Sequence, residues 1–302
     1  RPKSLFDRSK VALVFFHAVP APSIKDAAGM VEARRFAEQF GLENVFDVGQ
    51  HGIAHVLLAE NGLARPGELL LCADSHTCAA GAFNCAGRGI ASLDILQAMT
   101  TGFTWYQVSP TVRYEFDGKL GPLVSGKDVF FHIALTYGGH GGTSIEFGGT
   151  GLSALSMANR RTIATMCAEL GAEFSIFEYD DVTAAYLADR VSRPVTPVYP
   201  DRDANYVEVR RINLSEVEPY VIFPDAVLDN GERLSAFHQQ VKIHQAFIGS
   251  CANGLIEDLR VAAAIVKGRR VARNVRFIVT PGSQSVYLQA VREGLVEVLV
   301  AA

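Results

Sequence analysis

Short apolar runs recur along the chain, and each breaks at a polar or glycine-rich loop before a helix-period pattern begins. The run 11–16 (VALVFF) stops at His17, and a helix pattern follows over 24–40, closed by Gly41. Residues 44–48 read as a second strand and 53–61 as a short helix carrying His55. The run 69–72 (LLLC) is a third strand that breaks at Ala73-Asp74-Ser75-His76-Thr77-Cys78. A small-residue helix is expected next, continued by 93–101. Strand–loop–helix alternation predicts a parallel α/β sheet, and ligands of such sheets sit at the C-terminal ends of the strands. His17, Asp74, Ser75, His76 and Cys251 all fall at predicted strand ends, and His55 lies just beyond one.

Further along, 109–116 and 121–124 suggest a hairpin and a break in composition. A helix is expected over 127–137. The loop 138–149 then carries six glycines in twelve positions, a backbone that can approach a ligand closely. Residues 156–170 and 181–191 read as helices around a strand at 174–177. The stretch 193–203 (RPVTPVYPDRD) is a proline-rich connector. Beyond it lie a strand at 207–212 and the apolar run 241–248, which ends in Gly249-Ser250-Cys251. A helix at 256–266, a strand at 275–280, the turn Pro281-Gly282-Ser283-Gln284 and a helix at 286–293 complete the pattern. Three α/β domains are expected, at 1–109, 110–206 and 207–302.

Composition narrows the function. A chain of 302 residues is long enough for several cores. Its net charge of −4, without a Lys/Arg run, does not indicate a nucleic-acid surface. No apolar stretch has the length of a membrane span, and Arg1-Pro2-Lys3-Ser4-Leu5 shows no signal-peptide core. The five cysteines are odd in number and lack Cys-x-x-Cys spacing, so a disulfide framework is not expected. The expected compartment is reducing and cytoplasmic. Cys251, at a strand–helix junction, sits where a thiolate is favoured for metal binding or nucleophilic attack, or is a small buried residue. Asp74 close to His76 suits general acid–base work, or caps the following helix. His51 and His140, in glycine loops, read as surface residues. His132, His238 and His244 have no motif around them.

Several segments then occur in one order: Gly52-Ile53-Ala54-His55, Ala73-Asp74-Ser75-His76-Thr77, Ile145-Glu146-Phe147, Arg161-Thr162-Ile163 with Met166, Ile248-Gly249-Ser250-Cys251-Ala252-Asn253-Gly254, and Thr280-Pro281-Gly282-Ser283. In this the chain resembles the aconitase superfamily, in particular its 3-isopropylmalate dehydratase and homoaconitase branch. The resemblance implies three α/β/α domains with mainly parallel sheets around a central cleft. It implies a [4Fe–4S] cluster held by three cysteines, with one iron open as a Lewis acid. The reaction would be loss and return of water on a hydroxy dicarboxylate such as 3-isopropylmalate, in leucine biosynthesis. A small subunit or swivel domain would supply the catalytic serine. Cys251 matches a cluster cysteine, and Ser250 and Asn253 shape its loop. Asp74 and His76 match the active-site pair, His55 the partner of that aspartate, and Glu146 a glutamate near the iron-bound water. His17 matches a histidine that handles the leaving hydroxyl.

The match has departures. Family members carry a Cys-x-x-Cys that this chain lacks, so the third domain is expected to continue past residue 302. Phe16 stands where the family has an aspartate before His17. Val56 replaces a glutamine, and Asn84 and Ala91 replace glycines. The alternatives are a dehydratase for a methyl-substituted malate or homoaconitate, and a cluster-free paralogue without activity.

Overall fold

The computed structural model describes residues 2–302. Arg1, the first residue of the segment Arg1-Pro2-Lys3-Ser4-Leu5, lies outside the described residues. The strands are β1 (Ala12–Val14), β2 (Asn44–Phe46), β3 (Leu69–Cys72), β4 (Ala86–Gly89), β5 (Thr111–Asp117), β6 (Ser144–Gly148), β7 (Ser175–Phe177), β8 (Glu208–Asn213), β9 (Tyr220–Ile222), β10 (Gly231–Arg233), β11 (Gln245–Ile248) and β12 (Arg276–Val279). The helices are α1 (Ile24–Phe40), α2 (Ala54–Glu60), α3 (Ser92–Thr101), α4 (Gly126–Tyr137), α5 (Met157–Met166), α6 (Asp181–Leu187), α7 (Ser250–Asn253), α8 (Ile256–Val266), α9 (Gln284–Arg292) and α10 (Leu295–Ala301). All strand pairs are parallel except β9 with β10. The fold is α/β with mainly parallel sheets, as the alternation predicts.

The chain forms two compact units. The first takes the chain up to Leu57 together with Ala91–Tyr106 and Ile243–Ala302, and the second takes Leu58–Ile90 and Gln107–Lys242.

The second unit is built on a parallel sheet in the order β7-β6-β5-β8. Strand β5 alternates strictly, with Val112, Tyr114 and Phe116 buried and Thr111, Arg113 and Glu115 half-buried. One face therefore enters the core and the other carries charge, as a period of two requires. Phe147 of β6 stacks on Phe177 at 4.4 Å and on Phe116 at 5.6 Å between ring centroids. Helix α4 starts at a reciprocal cap between Ser125 and Asp128 and buries Val129, Phe130, Ile133 and Ala134. Helix α5 is buried over most of its length. Its Arg160, fully buried, makes a two-pronged bond to Asp180 at 2.5 and 2.7 Å, and Asp180 also caps α6.

Two sequence expectations change here. The stretch 109–124 is not a hairpin: β5 lies mid-sheet with parallel neighbours on both sides, and the chain leaves it for α4. The small-residue helix after Cys78 does not run on into 93–101. A 3-10 helix, Ser75–Phe83, ends at Asn84 in the left-handed conformation, and β4 intervenes. Asn84 tolerates that conformation, and its amide donates to the carbonyls of Phe177 and Val198 while accepting from the Val198 N–H. It thereby pins the proline-rich connector. Strand β4 runs tight against the Asp74 turn, since a Cβ on Gly89 would stand 2.4 Å from the Asp74 carbonyl oxygen.

In the first unit β1 pairs with β2 and β11 with β12. Ser23 caps α1 and Ser283 caps α9, each accepting a backbone N–H.

Candidate active site

In the second unit, the end of β3 delivers the Asp-Ser-His-Thr turn. Asp74 is extended and caps the 3-10 helix, its Oδ1 accepting the His76 N–H at 2.9 Å. The Thr77 hydroxyl donates to the Asp74 carbonyl at 2.6 Å. Capping and chemistry are thus not alternatives, because the cap itself fixes the main chain of His76. Both imidazole nitrogens are engaged: Nδ1 lies 3.1 Å from the Ser75 hydroxyl, and Nε2 lies 3.1 Å from Oε1 of Glu169. Asp74 Oδ1 stands 3.9 Å from Nδ1, too long for a hydrogen bond. Glu169 was not singled out by the sequence. It sits on the one-turn segment Cys167–Leu170 after α5, between the buried Cys167 and Leu170. The only signal for it was position, a few residues past the Arg161-Thr162-Ile163 segment.

Glu146 lies on β6 and is engaged elsewhere. Arg113 Nη1 donates to its Oε1 at 2.6 Å and the Tyr206 hydroxyl at 3.0 Å. The same guanidinium binds Glu178 at 2.5 Å and also Glu115. Gly148 permits this, since a Cβ there would stand 2.0 Å from Arg113 Nη2. Burial pushes the Glu146 carboxyl above its ordinary pKa, with Tyr206 and Arg113 pulling the other way. Burial also opposes the Arg113 charge, but its bonds to Glu115 and Glu178 outweigh that and hold it more firmly protonated.

In the first unit, three motif segments converge. The Ile53 N–H donates to the Gly282 carbonyl at 2.8 Å, and the Gly282 N–H donates to the Gly254 carbonyl at 2.7 Å. The Gly-Ile-x-His, Gly-Ser-Cys-x-Asn and Pro-Gly-Ser segments thus share one backbone knot. Val56, fully buried, packs beside Gly282. Ser250 has φ 80, unusual for a residue with a side chain. Asn253 donates to Asp258 at 2.9 Å, while its Oδ1 is buried with no hydrogen-bond partner among the described residues. Cys251 is half-buried within α7. His55 is buried on α2. His17 is exposed, with the Phe16 ring 4.2 Å from its own.

The aconitase family model (aconitate hydratase) matches residues 18–232 and 225–302. The chain belongs to the aconitase family. The 3-isopropylmalate dehydratase large subunit of Mycolicibacterium smegmatis is 52% identical over 297 residues, covering 98% of this chain and 70% of that protein. The protein of the same name from Halothermothrix orenii is 42% identical, covering 99% and 71%. Among solved structures, holo-form aconitase X of Thermococcus kodakaraensis matches with 12% identity and a TM-score of 0.47, over 91% of this chain and 64% of that one.

Aconitase family members usually use a [4Fe–4S] cluster. Cys251 offers one thiol for it, in a turn with a strained Ser250 and an unmatched Asn253 oxygen. Among the described residues, no group of three His, Cys, Asp or Glu could hold a metal. Cys85 and Cys167 are no substitutes, because burial pushes the Cys85 thiol up to about 12 and that of Cys167 well above its ordinary value. The described residues alone do not form a three-thiolate cradle. No helix of the described residues is long and apolar enough to cross a membrane.

Proposed function

We propose that this chain is the large subunit of a hydro-lyase that dehydrates and rehydrates a hydroxy dicarboxylate of the 3-isopropylmalate type. The observation that carries the reading is the His76–Glu169 pair at the end of β3, in a chain 52% identical to a dehydratase large subunit. Dehydration breaks a C–O bond as the hydroxyl takes a proton and leaves as water, while the neighbouring carbon loses its proton to a base. Rehydration reverses both steps with the hydroxyl on the adjacent carbon. His76 is the group that gives and recovers the first proton. Glu169 accepts Nε2–H, which orients the ring and stabilises the imidazolium that gives its Nδ1 proton. That leaves Nδ1, now on the Ser75 hydroxyl, for a substrate oxygen. The Asp74 cap holds the turn. The base is expected from a small subunit or swivel domain carrying a serine.

Cys251 is read as one thiolate of the family's cluster, with Ser250 and Asn253 shaping its turn. His55, His17 and Glu146 remain site candidates, and the division at 109 and 206 remains the domain reading. The test is turnover by the full-length chain with its small subunit, prepared without oxygen. A panel of 3-isopropylmalate, a methyl-substituted malate and homoaconitate should give the highest kcat/KM with 3-isopropylmalate. A preference for another member reassigns the substrate. No turnover of any member by an iron-loaded complex favours the second reading, an inactive paralogue, for which Phe16 beside His17 is the specific observation.

A further inference from the structure

His140 is not the surface residue its glycine loop suggests: it is 3% exposed. Its Nδ1 lies 3.2 Å from the Gly138 carbonyl oxygen, which can only accept, so Nδ1 carries the hydrogen. Its Nε2 faces the Tyr114 hydroxyl at 2.9 Å and Arg210 Nη1 at 3.1 Å. Arg210 can only donate, so Nε2 must present its lone pair. The imidazole is therefore neutral in one tautomer. The other groups around it are Tyr137, whose ring lies 4.6 Å from the Arg210 guanidinium, and Glu208, which takes Arg210 Nη2 at 2.6 Å. Cys167 lies beside Tyr114 and is a neutral thiol.

The main chain of this loop grips the turn that carries Glu169. The His140 N–H donates to the Leu170 carbonyl at 2.7 Å, one residue beyond Glu169. Thr143 closes the loop onto the His140 carbonyl through its N–H at 3.0 Å and its hydroxyl at 2.9 Å. The Thr143 carbonyl in turn accepts the Glu173 N–H at 2.9 Å. The segment 167–173 is thus tied to the loop at two points.

We propose that His140 is a positioning residue for the His76–Glu169 pair: locked as the neutral imidazole by Gly138, Tyr114 and Arg210, it clamps the glycine loop onto the turn from which Glu169 reaches His76. This rests on the reading of His76 and Glu169 given above. A proton on Nε2 would set donor against donor at Arg210 and release the clamp. Burial and the Arg210 charge both push the His140 pKa below its ordinary value, which keeps the clamp closed at neutral pH.

The test uses the full-length chain in complex with its small subunit. The variants are His140→Leu, His140→Gln, whose side-chain oxygen can accept from Arg210, and Tyr114→Phe. Two readouts are taken: kcat and KM from about pH 5 to 8, the range in which histidine titrates, and hydrogen exchange over residues 167–173. His140→Leu should lower kcat about tenfold with KM within about twofold, since misplaced catalytic groups chiefly lose rate. It should raise exchange in 167–173 by about tenfold. Tyr114→Phe should move both readouts the same way by less, and it carries the test if His140→Leu does not fold. His140→Gln should restore most of kcat and flatten its acid limb. Exchange over 167–173 equal to wild type in both His140→Leu and Tyr114→Phe overturns the proposal. So does a lowered kcat whose acid limb is unchanged in His140→Gln. A wild-type complex without turnover defeats the proposed function, and exchange still decides the clamp.

Discussion

Glu169 and Glu146 are two carboxylates of one unit with opposite commitments. Glu169 is exposed and, among the described residues, its carboxylate meets one partner, the His76 imidazole at 3.1 Å. Glu146 is half-buried and meets a guanidinium and a phenol, in a cluster where Arg113 serves three carboxylates. A carboxylate with one titratable partner can hold and turn an imidazole as its proton comes and goes. A carboxylate fixed by a permanent cation has lost that freedom. Sequence motif favours Glu146, while hydrogen-bond geometry favours Glu169. Proton transfer by an imidazole is therefore expected at the His76 pair, while Glu146, still a site candidate, also supports the fold through the Arg113 cluster.

The sharpest way to break this contrast is His76→Ala. It should lower kcat by about 10²- to 10⁴-fold, the range for a lost acid–base group, with the melting temperature little changed. Glu169→Gln follows, with kcat down about tenfold to a hundredfold and KM nearly constant, because only the imidazole's tautomer and orientation are disturbed. If Glu146→Gln exceeds Glu169→Gln in that assay, the roles are reversed. Arg113→Met should act on stability. It leaves Glu115, Glu146 and Glu178 facing one another without their cation, and a loss of about 2–4 kcal/mol is expected. That is below the usual figure for a broken buried pair, because the carboxylates are partly exposed. Urea denaturation measures it. The smallest effect belongs to Glu146→Gln on stability. The raised pKa means that the folded state binds this proton more tightly than the unfolded chain. That contribution is fully present below the unfolded value of 4.5 and is lost as pH rises through the folded pKa. The glutamine variant should therefore match or slightly exceed wild type at pH 7, and its stability should vary less between about pH 4 and 6.

Much of the frame was legible in order of residues. The run Leu69–Cys72, the helix Ile24–Phe40 and the turn before α9 follow from period, apolar content and turn chemistry. The Asp-Ser-His-Thr turn was legible as a strand end. Strand β4 was not, because Ala86-Gly87-Arg88-Gly89 has poor strand propensity and pairs only where Thr77 and Asp74 leave no room for a side chain. The β5 hairpin failed for a related reason: its partners are remote, and nothing local marks a parallel neighbour. Glu169 lies 93 residues from His76 and carries no motif of its own. His140 looked exposed because its neighbours are glycines, yet Tyr114 and Arg210 of two separate strands enclose it.

The order β7-β6-β5-β8 has a kinetic consequence. Every neighbour in that sheet is joined by a crossover, and β5 must wait for β8, about a hundred residues later in synthesis, before its second edge is covered. Long-range parallel pairing of this kind folds slowly. During that wait one edge of β5, the strand carrying Val112, Tyr114 and Phe116, is open to other chains, and such edges drive aggregation. Nascent chains stalled before Glu208 should bind chaperones far more than chains stalled after Asn213.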